Sequence, residues 1–206
     1  MRTIETKVYR YDELSSGAKL NAIRVLRYKL SNGKIEADSY DYRNTLAEIE
    51  KIFGVKLQDW SVNGYSPTYF RFNFVNLDED MENEPKFLLR YLNRFVLPYI
   101  DCRKTYYAKN YYENHKKRKS RILSYPEYSC CITGAWTDWA VDDALNNIKE
   151  SIMQGKSAKD FVKDMLNNFF RRWNMDCEYA YSDESIEEEI SNSEYEFLEN
   201  GKPYLA

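Results

Sequence analysis

The amino-acid sequence predicts an α+β protein, with a small antiparallel sheet built on an aromatic hairpin at about 57–74 and covered by amphipathic helices. Residues 57 to 74 read LQDWSVNGYSPTYFRFNF, and phenylalanine occupies every second position from 70 to 74. This two-residue period is that of a β-strand with one apolar face. Trp60 and Val62 offer a matching face in the first half, and Asn63-Gly64 and Ser66-Pro67 are typical of turns. Such an aromatic face must be covered, and several segments with helical periodicity surround it.

The length and composition indicate one structured body. The chain has 206 residues, of which 43% are hydrophobic and 16% aromatic, and nineteen Tyr stand against seven Gly and five Pro. We predict a single body at 1–181 with a basic, Tyr-rich arm at 103–121, and an acidic helix and hairpin at 182–206 packed on or appended to it. Because the tail's apolar content looks weak, we expect the body to stay folded without it.

Neither a membrane span nor a signal peptide is indicated by the sequence. No apolar run approaches the length that a bilayer requires, and residues 1–14 lack the apolar centre of a signal peptide. The four cysteines have no CxxC spacing. We therefore expect a soluble cytoplasmic protein with reduced thiols.

The first half of the chain predicts one strand and two helices before the hairpin. Residues 3–10 alternate like a strand. Apolar residues then recur at helical spacing from Leu14, with Ser15 or Ser16 as the cap and Asn32-Gly33 as the end. A second helix is predicted at about 38–53, with Gly54 as its stop.

The second half predicts mainly helices. Helical stripes follow Pro85, then Thr137 or Asp138, and then Ser157, where Asp160 three residues on resembles a capping box. A strand is predicted at 128–135, and a short acidic helix from Ser182 to about Ser191, followed by a terminal hairpin at Asn200-Gly201. We expect one continuous core, made of Trp60, Phe70, Phe72, Val141, Leu145, Leu166 and Phe169.

Metal and nucleophilic chemistry have little support in the sequence. The only histidine, His115, lies beside Lys116, Lys117 and Arg118, where a positive field opposes both a zinc ion and an imidazolium. We expect no cofactor, no metal and no catalytic residue. A metal-dependent nuclease stays open as an alternative, because Asp138 and Asp142 share a predicted helix face and could join Asp59 around a divalent cation.

Charge is distributed unevenly along the chain. The net charge is -3, yet residues 176–206 alone hold ten acidic residues and one lysine. Residues 103–121 are strongly basic and interleaved with tyrosines, which suits phosphate neutralisation and base stacking. The alternatives are a solvated helix or ordered arm, or docking onto an acidic partner. The candidate binding residues of this basic run are Arg103, Lys104, Tyr107, Lys109, Tyr111, Tyr112, Lys116, Lys117, Arg118, Lys119 and Arg121.

The acidic tail provides a second candidate surface. Its members are Asp183, Glu184, Glu187, Glu188 and Glu189. They could form a docking surface that mimics a short line of phosphates, or they could solubilise the helix or neutralise the basic run.

Two stretches carry a family resemblance. They are YDELS at 11–15 with Ala18 and Lys19, and SDESIE at 182–187 with Tyr195, Phe197, Asn200 and Gly201. Together they resemble a family of small uncharacterised proteins of bacteriophages and mobile elements of low-GC bacteria, over about a quarter of the chain. Family members often carry a glycine-rich loop where this chain has NGYSP at 63–67. The resemblance implies an accessory protein that acts on a host system in the bacterial cytoplasm.

Taken together, these features predict a non-catalytic phage or mobile-element protein that binds and inhibits a host defence complex, in the manner of an anti-CRISPR protein. Its partner would be a host protein or nucleoprotein complex. The first alternative is a nucleic-acid-binding regulator or antitoxin that uses the basic run, and the second is the nuclease.

Overall fold

The computed structural model describes residues 5–99, 104–108, 120–124 and 138–204, with the backbone alone at 104–108 and 120–124. The fold is α+β, as predicted, and the aromatic hairpin forms a two-stranded antiparallel sheet. In chain order the α-helices and strands are α1 (Ser16–Phe53), β1 (Val55–Ser61), β2 (Tyr69–Phe74), α2 (Glu79–Asn83), α3 (Leu88–Tyr91), β3 (Lys104–Ala108), β4 (Ser120–Ser124), α4 (Trp139–Asn146), α5 (Ile148–Met153), α6 (Ala158–Ala180) and α7 (Asp183–Asn192). Short 3-10 helices at Tyr11–Glu13, Pro85–Phe87 and Leu97–Tyr99 and a π-helical turn at Leu92–Val96 complete them.

The chain divides into two compact units. Unit 1 consists of Met1–Ser39, Asn63–Ser66 and Asn174–Ala206, and unit 2 consists of Tyr40–Val62 and Pro67–Trp173. Both α1 and α6 therefore contribute residues to each unit. The sequence predicted that residues 1–181 form a body that folds without residues 182–206. This division concerns independent folding, and it stays a prediction. None of the helices in the described ranges combines the length and apolar character needed to cross a membrane.

Helix α1 is one continuous helix, so the predicted break at Asn32-Gly33 is wrong. A glycine inside a helix costs only about 1 kcal/mol. Tertiary contacts in unit 1 hold the turn on both sides of it: Ser31 is fully buried, and Lys34 donates to the carbonyl oxygen and hydroxyl of Ser185 at 3.0 and 2.9 Å. The predicted cap is confirmed, because the Ser15 hydroxyl accepts a hydrogen bond from the Ala18 N–H.

The hairpin register pairs each phenylalanine of β2 with an apolar residue of β1 on the same face of the sheet. Phe70 lies opposite Trp60, Phe72 opposite Leu57, and Phe74 opposite Val55. A bulge between Leu57 and Asp59 makes this possible, since one extra residue returns the next apolar side chain to the same face. The predicted hairpin is confirmed.

The core of unit 2 covers this aromatic face. The rings of Trp60 and Phe70 lie 5.7 and 5.1 Å from that of Phe170 on α6, between ring centroids. On α6, Phe169 and Trp173 are buried and contact Tyr42 of α1. Of the predicted core residues, Val141, Leu145, Leu166 and Phe169 are fully buried, whereas Trp60, Phe70 and Phe72 are half-buried.

The predicted helix starts of the second half are confirmed with one change. Ser157 and Asp160 form the reciprocal capping bonds, each side chain accepting from the other's N–H at 3.1 Å. The helix expected after residue 138 is two helices, α4 and α5, and Gly155 ends the second with a φ of +68°. Asp138 takes the position before α4 but makes no capping bond with its side chain.

Unit 1 has a core drawn from distant parts of the sequence. Buried residues of α1 pack with Ile186 and Ile190 of α7 and with Phe197. The predicted tail helix and terminal turn are confirmed: Ser182 caps α7, and the Leu198 N–H donates to the Lys202 carbonyl at 2.9 Å. Few as the apolar residues of the tail are, these three are at most 1% exposed and belong to the core of unit 1.

The predicted N-terminal strand is reduced to one bridge. Tyr9 and Phe197 exchange two backbone hydrogen bonds of 2.8 Å, and residues 5–8 form no regular element. Residues 3 and 4 of that prediction lie outside the described residues, as does the strand expected at 128–135.

Candidate protein-docking surface

All five predicted acidic residues lie on α7, and three of them contact the N-terminal part of the chain. Asp183 forms an ion pair with Arg27, and the Glu189 carboxylate lies 3.4 Å from the Lys34 ammonium. Glu187 accepts a hydrogen bond of 3.1 Å from the Tyr11 hydroxyl. These contacts fix α7 on the N-terminal part of the chain, so a portion of the predicted acidic surface has a structural role.

Two acidic residues, Glu184 and Glu188, present their carboxylates outward. Both are exposed, and Tyr179 at the end of α6 donates to the Glu188 carboxylate at 3.4 Å. Desolvation, followed by the charges of Glu188 and Glu184, raises the pKa of the Tyr179 phenol. This acidic edge, defined as Tyr179, Glu184 and Glu188, is therefore both negative and partly aromatic.

A cluster of exposed tyrosines lies in the same unit, and sequence reasoning missed it. Tyr28 and Tyr65 are 75% and 71% exposed, and the Tyr65 ring lies 4.4 Å from that of Tyr181. The Tyr181 hydroxyl donates to the Asn32 side chain at 3.4 Å. Tyr28 lies one helical turn before Asn32 on the same face of α1, which is the face that Tyr181 contacts. Burial, and then Tyr65, Cys177 and Tyr28, raise the pKa of Tyr181. We call Tyr28, Tyr65 and Tyr181 the tyrosine patch.

The turn that carries Tyr65 is held in one conformation. The Asn63 side chain accepts from the N–H groups of Tyr65 and Ser66 at 2.9 and 2.8 Å. Gly64, with a φ of +72°, lies so close to α6 that an added Cβ would sit 3.0 Å from the backbone of Cys177 and Glu178. The sequence predicted the turn from these residues, but only the tertiary structure shows what it packs against.

A hydrogen-bond chain extends this turn to a carboxylate. The Gly64 N–H donates to Asn174 at 3.1 Å, and the Asn174 amide donates to Glu178 at 2.7 Å. Tyr65 is thereby presented on a fixed turn beside the charged end of α6.

The predicted basic run falls only partly on described residues. Lys104 and Tyr107 lie on β3 and Arg121 on β4, and the register pairs Tyr107 with Arg121. The alternative of an exposed helix is wrong for these strands, since Thr, Tyr and Ile favour extended pairing. The remaining candidates lie outside the described residues, namely Arg103, Lys109, Tyr111, Tyr112, Lys116, Lys117, Arg118 and Lys119.

The carboxylates proposed for a metal-dependent nuclease have other contacts. Asp138 is fully buried and accepts a hydrogen bond of 3.0 Å from the Thr45 hydroxyl. Asp59 accepts a bond of 3.4 Å from Tyr69. Across the described ranges no group of three or more His, Cys, Asp or Glu residues is placed to hold a metal ion.

The formal charges of the two units have opposite signs. Unit 1 contains fifteen Asp and Glu against nine Lys and Arg, a net charge of -6, and unit 2 carries the balancing +3 of the total of -3. The acidic edge and the tyrosine patch therefore belong to a negatively charged unit. This combination suits contact with a positively charged partner.

Comparison of the chain with protein-family profiles, with curated proteins and with solved structures finds no match.

Proposed function

We propose that the chain is a non-catalytic protein-binding module that docks through the acidic surface of unit 1 onto a basic surface of a host defence complex and inhibits it. The observation that carries the proposal is the net charge of -6 on unit 1, combined with exposed carboxylates at Glu184 and Glu188. Proteins that handle nucleic acids expose Lys- and Arg-rich surfaces that such a module can cover.

The acidic edge is well placed for docking because its backbone is fixed. α7 is anchored by Arg27, Lys34 and Tyr11 and by its buried isoleucines, while Glu184 and Glu188 remain outward. A fixed surface loses less conformational entropy on binding than a mobile one. Opposite charges also accelerate encounter in a salt-dependent manner.

The host context comes from the phage-family resemblance at the two ends of the chain. The structure gives several of those residues a shared structural role in unit 1, where Tyr11, Leu14 and Ala18 pack in one cluster with Phe197. The resemblance thus concerns the unit that carries the acidic edge. It supports a phage or mobile-element protein whose partner is a bacterial defence complex in the cytoplasm.

The direct test is capture of host proteins by the purified full-length chain from a nuclease-treated bacterial lysate. We expect retention of a nucleic-acid-handling protein, identified by mass spectrometry, and inhibition of its activity when the chain is added back. Recovery of nucleic acid alone, or of no protein, would contradict the proposal.

A charge-reversal pair tests the surface itself. Glu184→Lys with Glu188→Lys should weaken capture at least about tenfold and flatten its salt dependence. The matched control, Asp143→Lys with Glu150→Lys, makes the same change of net charge on exposed residues of unit 2. Glu184 and Glu150 both lie in a helix's first turn, so the helix-dipole cost is similar. Equal loss in both pairs would assign the effect to overall charge and not to the acidic edge.

The nucleic-acid-binding alternative rests on the basic run of unit 2. It predicts RNA or DNA affinity that falls steeply with salt, with a slope reduced by several units when Lys116, Lys117, Arg118 and Lys119 are replaced by Ala. An unchanged slope would remove the basic run from consideration.

A further inference from the structure

We propose that the tyrosine patch receives an arginine side chain of the partner protein, stacked on Tyr28 and Tyr65 and approached by the Glu178 carboxylate. This inference specifies the partner chemistry of the docking surface and rests on the proposed function. It adds a binding site on unit 1 beside the acidic edge of α7.

The first argument is the unusual exposure of the rings. Tyr28 and Tyr65 leave about three quarters of their surface in solvent, although Tyr65 already packs on Tyr181. A guanidinium stacks on tyrosine faces through cation–π attraction, and arginine does so more often than lysine. Tyrosine and arginine are also the side chains that dominate binding energy at protein interfaces.

The second argument is the sign of the local field. The Glu178 carboxylate lies near the turn that carries Tyr65, because Asn174 accepts from the Gly64 N–H at 3.1 Å and donates to Glu178 at 2.7 Å. This carboxylate adds a local negative charge beside the patch, in keeping with the net charge of -6 on unit 1. Burial, and then the carboxylates of Asp176, Asp38 and Glu178, also raise the pKa of Cys177 to about 11.

The third argument is that the site is formed in advance. Tyr65 is held by the Asn63 bonds and by the tight contact of Gly64 with α6, and Tyr181 by its bond to Asn32. Glu178 is oriented by the Asn174 amide. Because these groups are already ordered, a guanidinium gains stacking and a charge-assisted hydrogen bond with little further loss of entropy.

Stacked nucleobases are the competing occupant of an aromatic patch. The net charge of -6 on unit 1 opposes the phosphates that would accompany a base. The same charge attracts arginine, which is why the observations favour a protein partner.

The experiment measures binding of two blocked ten-residue peptides to the full chain, one alternating Arg and Gly and the other Lys and Gly, by calorimetry and NMR. We expect the Arg peptide to bind about two- to fivefold more tightly, the range expected for one exposed cation–π contact. Tyr65→Ala should remove this preference, whereas Tyr65→Phe should keep it. Tyr40→Ala is the matched control for Tyr28→Ala, because both residues lie on α1 and are 68% and 75% exposed.

Several outcomes would overturn the inference. They are equal affinity for the two peptides, an equal loss in the Tyr40 and Tyr28 variants, or binding of a single-stranded oligonucleotide, added without peptide, that Tyr65→Ala abolishes. If host capture persists without an arginine preference, this inference alone is wrong. If the preference is found but no host protein is captured, the arginine site stands and the proposed function fails.

Discussion

Replacing Gly201 by alanine should be far more damaging than the same change at Gly155. Both glycines have left-handed backbones, with φ of +79° and +68°. At Gly155 an added Cβ meets no atom within 4 Å, whereas at Gly201 it would lie 2.0 Å from the carbonyl oxygen of Ala18 on α1. The pair therefore separates the cost of the backbone conformation from the cost of close packing.

The magnitudes follow from these contacts. A left-handed alanine costs about 1–2 kcal/mol, partly offset by about 0.4–1 kcal/mol from a less flexible unfolded chain, so Gly155→Ala should lose about 1 kcal/mol. In Gly201→Ala the turn must also move away from α1. It then loses the 2.7 Å bond from Asn21 to Asn200 and loosens the buried Phe197, for a total of about 3–5 kcal/mol.

The assay is urea denaturation followed by circular dichroism, with hydrogen exchange of residues 16–30 to localise the effect to unit 1. We expect exchange protection there to fall in Gly201→Ala and to stay unchanged in Gly155→Ala. Similar free-energy losses in the two variants would refute the close approach of the C-terminal turn to α1.

Three further outcomes are expected. Phe169→Ala should lower the free energy of unfolding by about 3–5 kcal/mol, because this ring is buried with its centroid 5.5 Å from that of Tyr42. The measurement is tryptophan fluorescence in urea, and a loss below about 1 kcal/mol would contradict this packing. Truncation after Ser182 should remove hydrogen-exchange protection from residues 16–30, against the sequence-based expectation of an unaffected body; retained protection would restore that expectation. Burial and the bond to Glu187 raise the pKa of Tyr11 to about 12, so the folded state holds the phenol proton more tightly than the unfolded state does. The stabilisation of the fold by this proton should therefore be complete below pH 10 and should decline between pH 10 and pH 12. Tyr11→Phe should flatten that decline in the urea midpoint, and an unchanged profile would assign it to other groups.

The sequence predicted those features whose causes are local. Alternating phenylalanines define the face of β2, and the Ser157 and Asp160 capping pair lies within four residues. The Ser182 cap of α7 is equally local. Each depends on neighbouring residues, which single-sequence reasoning can evaluate.

Features that depend on distant contacts were missed or wrong. Asn32-Gly33 is a good helix stop in isolation, and only contacts such as that of Lys34 with Ser185 carry α1 through it. The tyrosine patch combines residues from α1, from the hairpin turn and from the residue after α6, which no periodicity connects. The acidic residues predicted as one group all lie on α7. Their partners, however, are Arg27, Lys34 and Tyr11, which the sequence did not indicate.

The construction of unit 1 from distant segments has a consequence for synthesis on the ribosome. Tyr11 and Glu187 are 176 residues apart. At a translation rate of about 5–20 residues per second, α7 is therefore synthesised roughly 9–35 seconds after the start of α1. Every residue of unit 2 is made during that interval, since unit 2 ends at Trp173. The apolar side of α1 near Ala22 and Leu26 is meanwhile without its partners and available to chaperones. Unit 1 should therefore fold only after all of unit 2 has been synthesised.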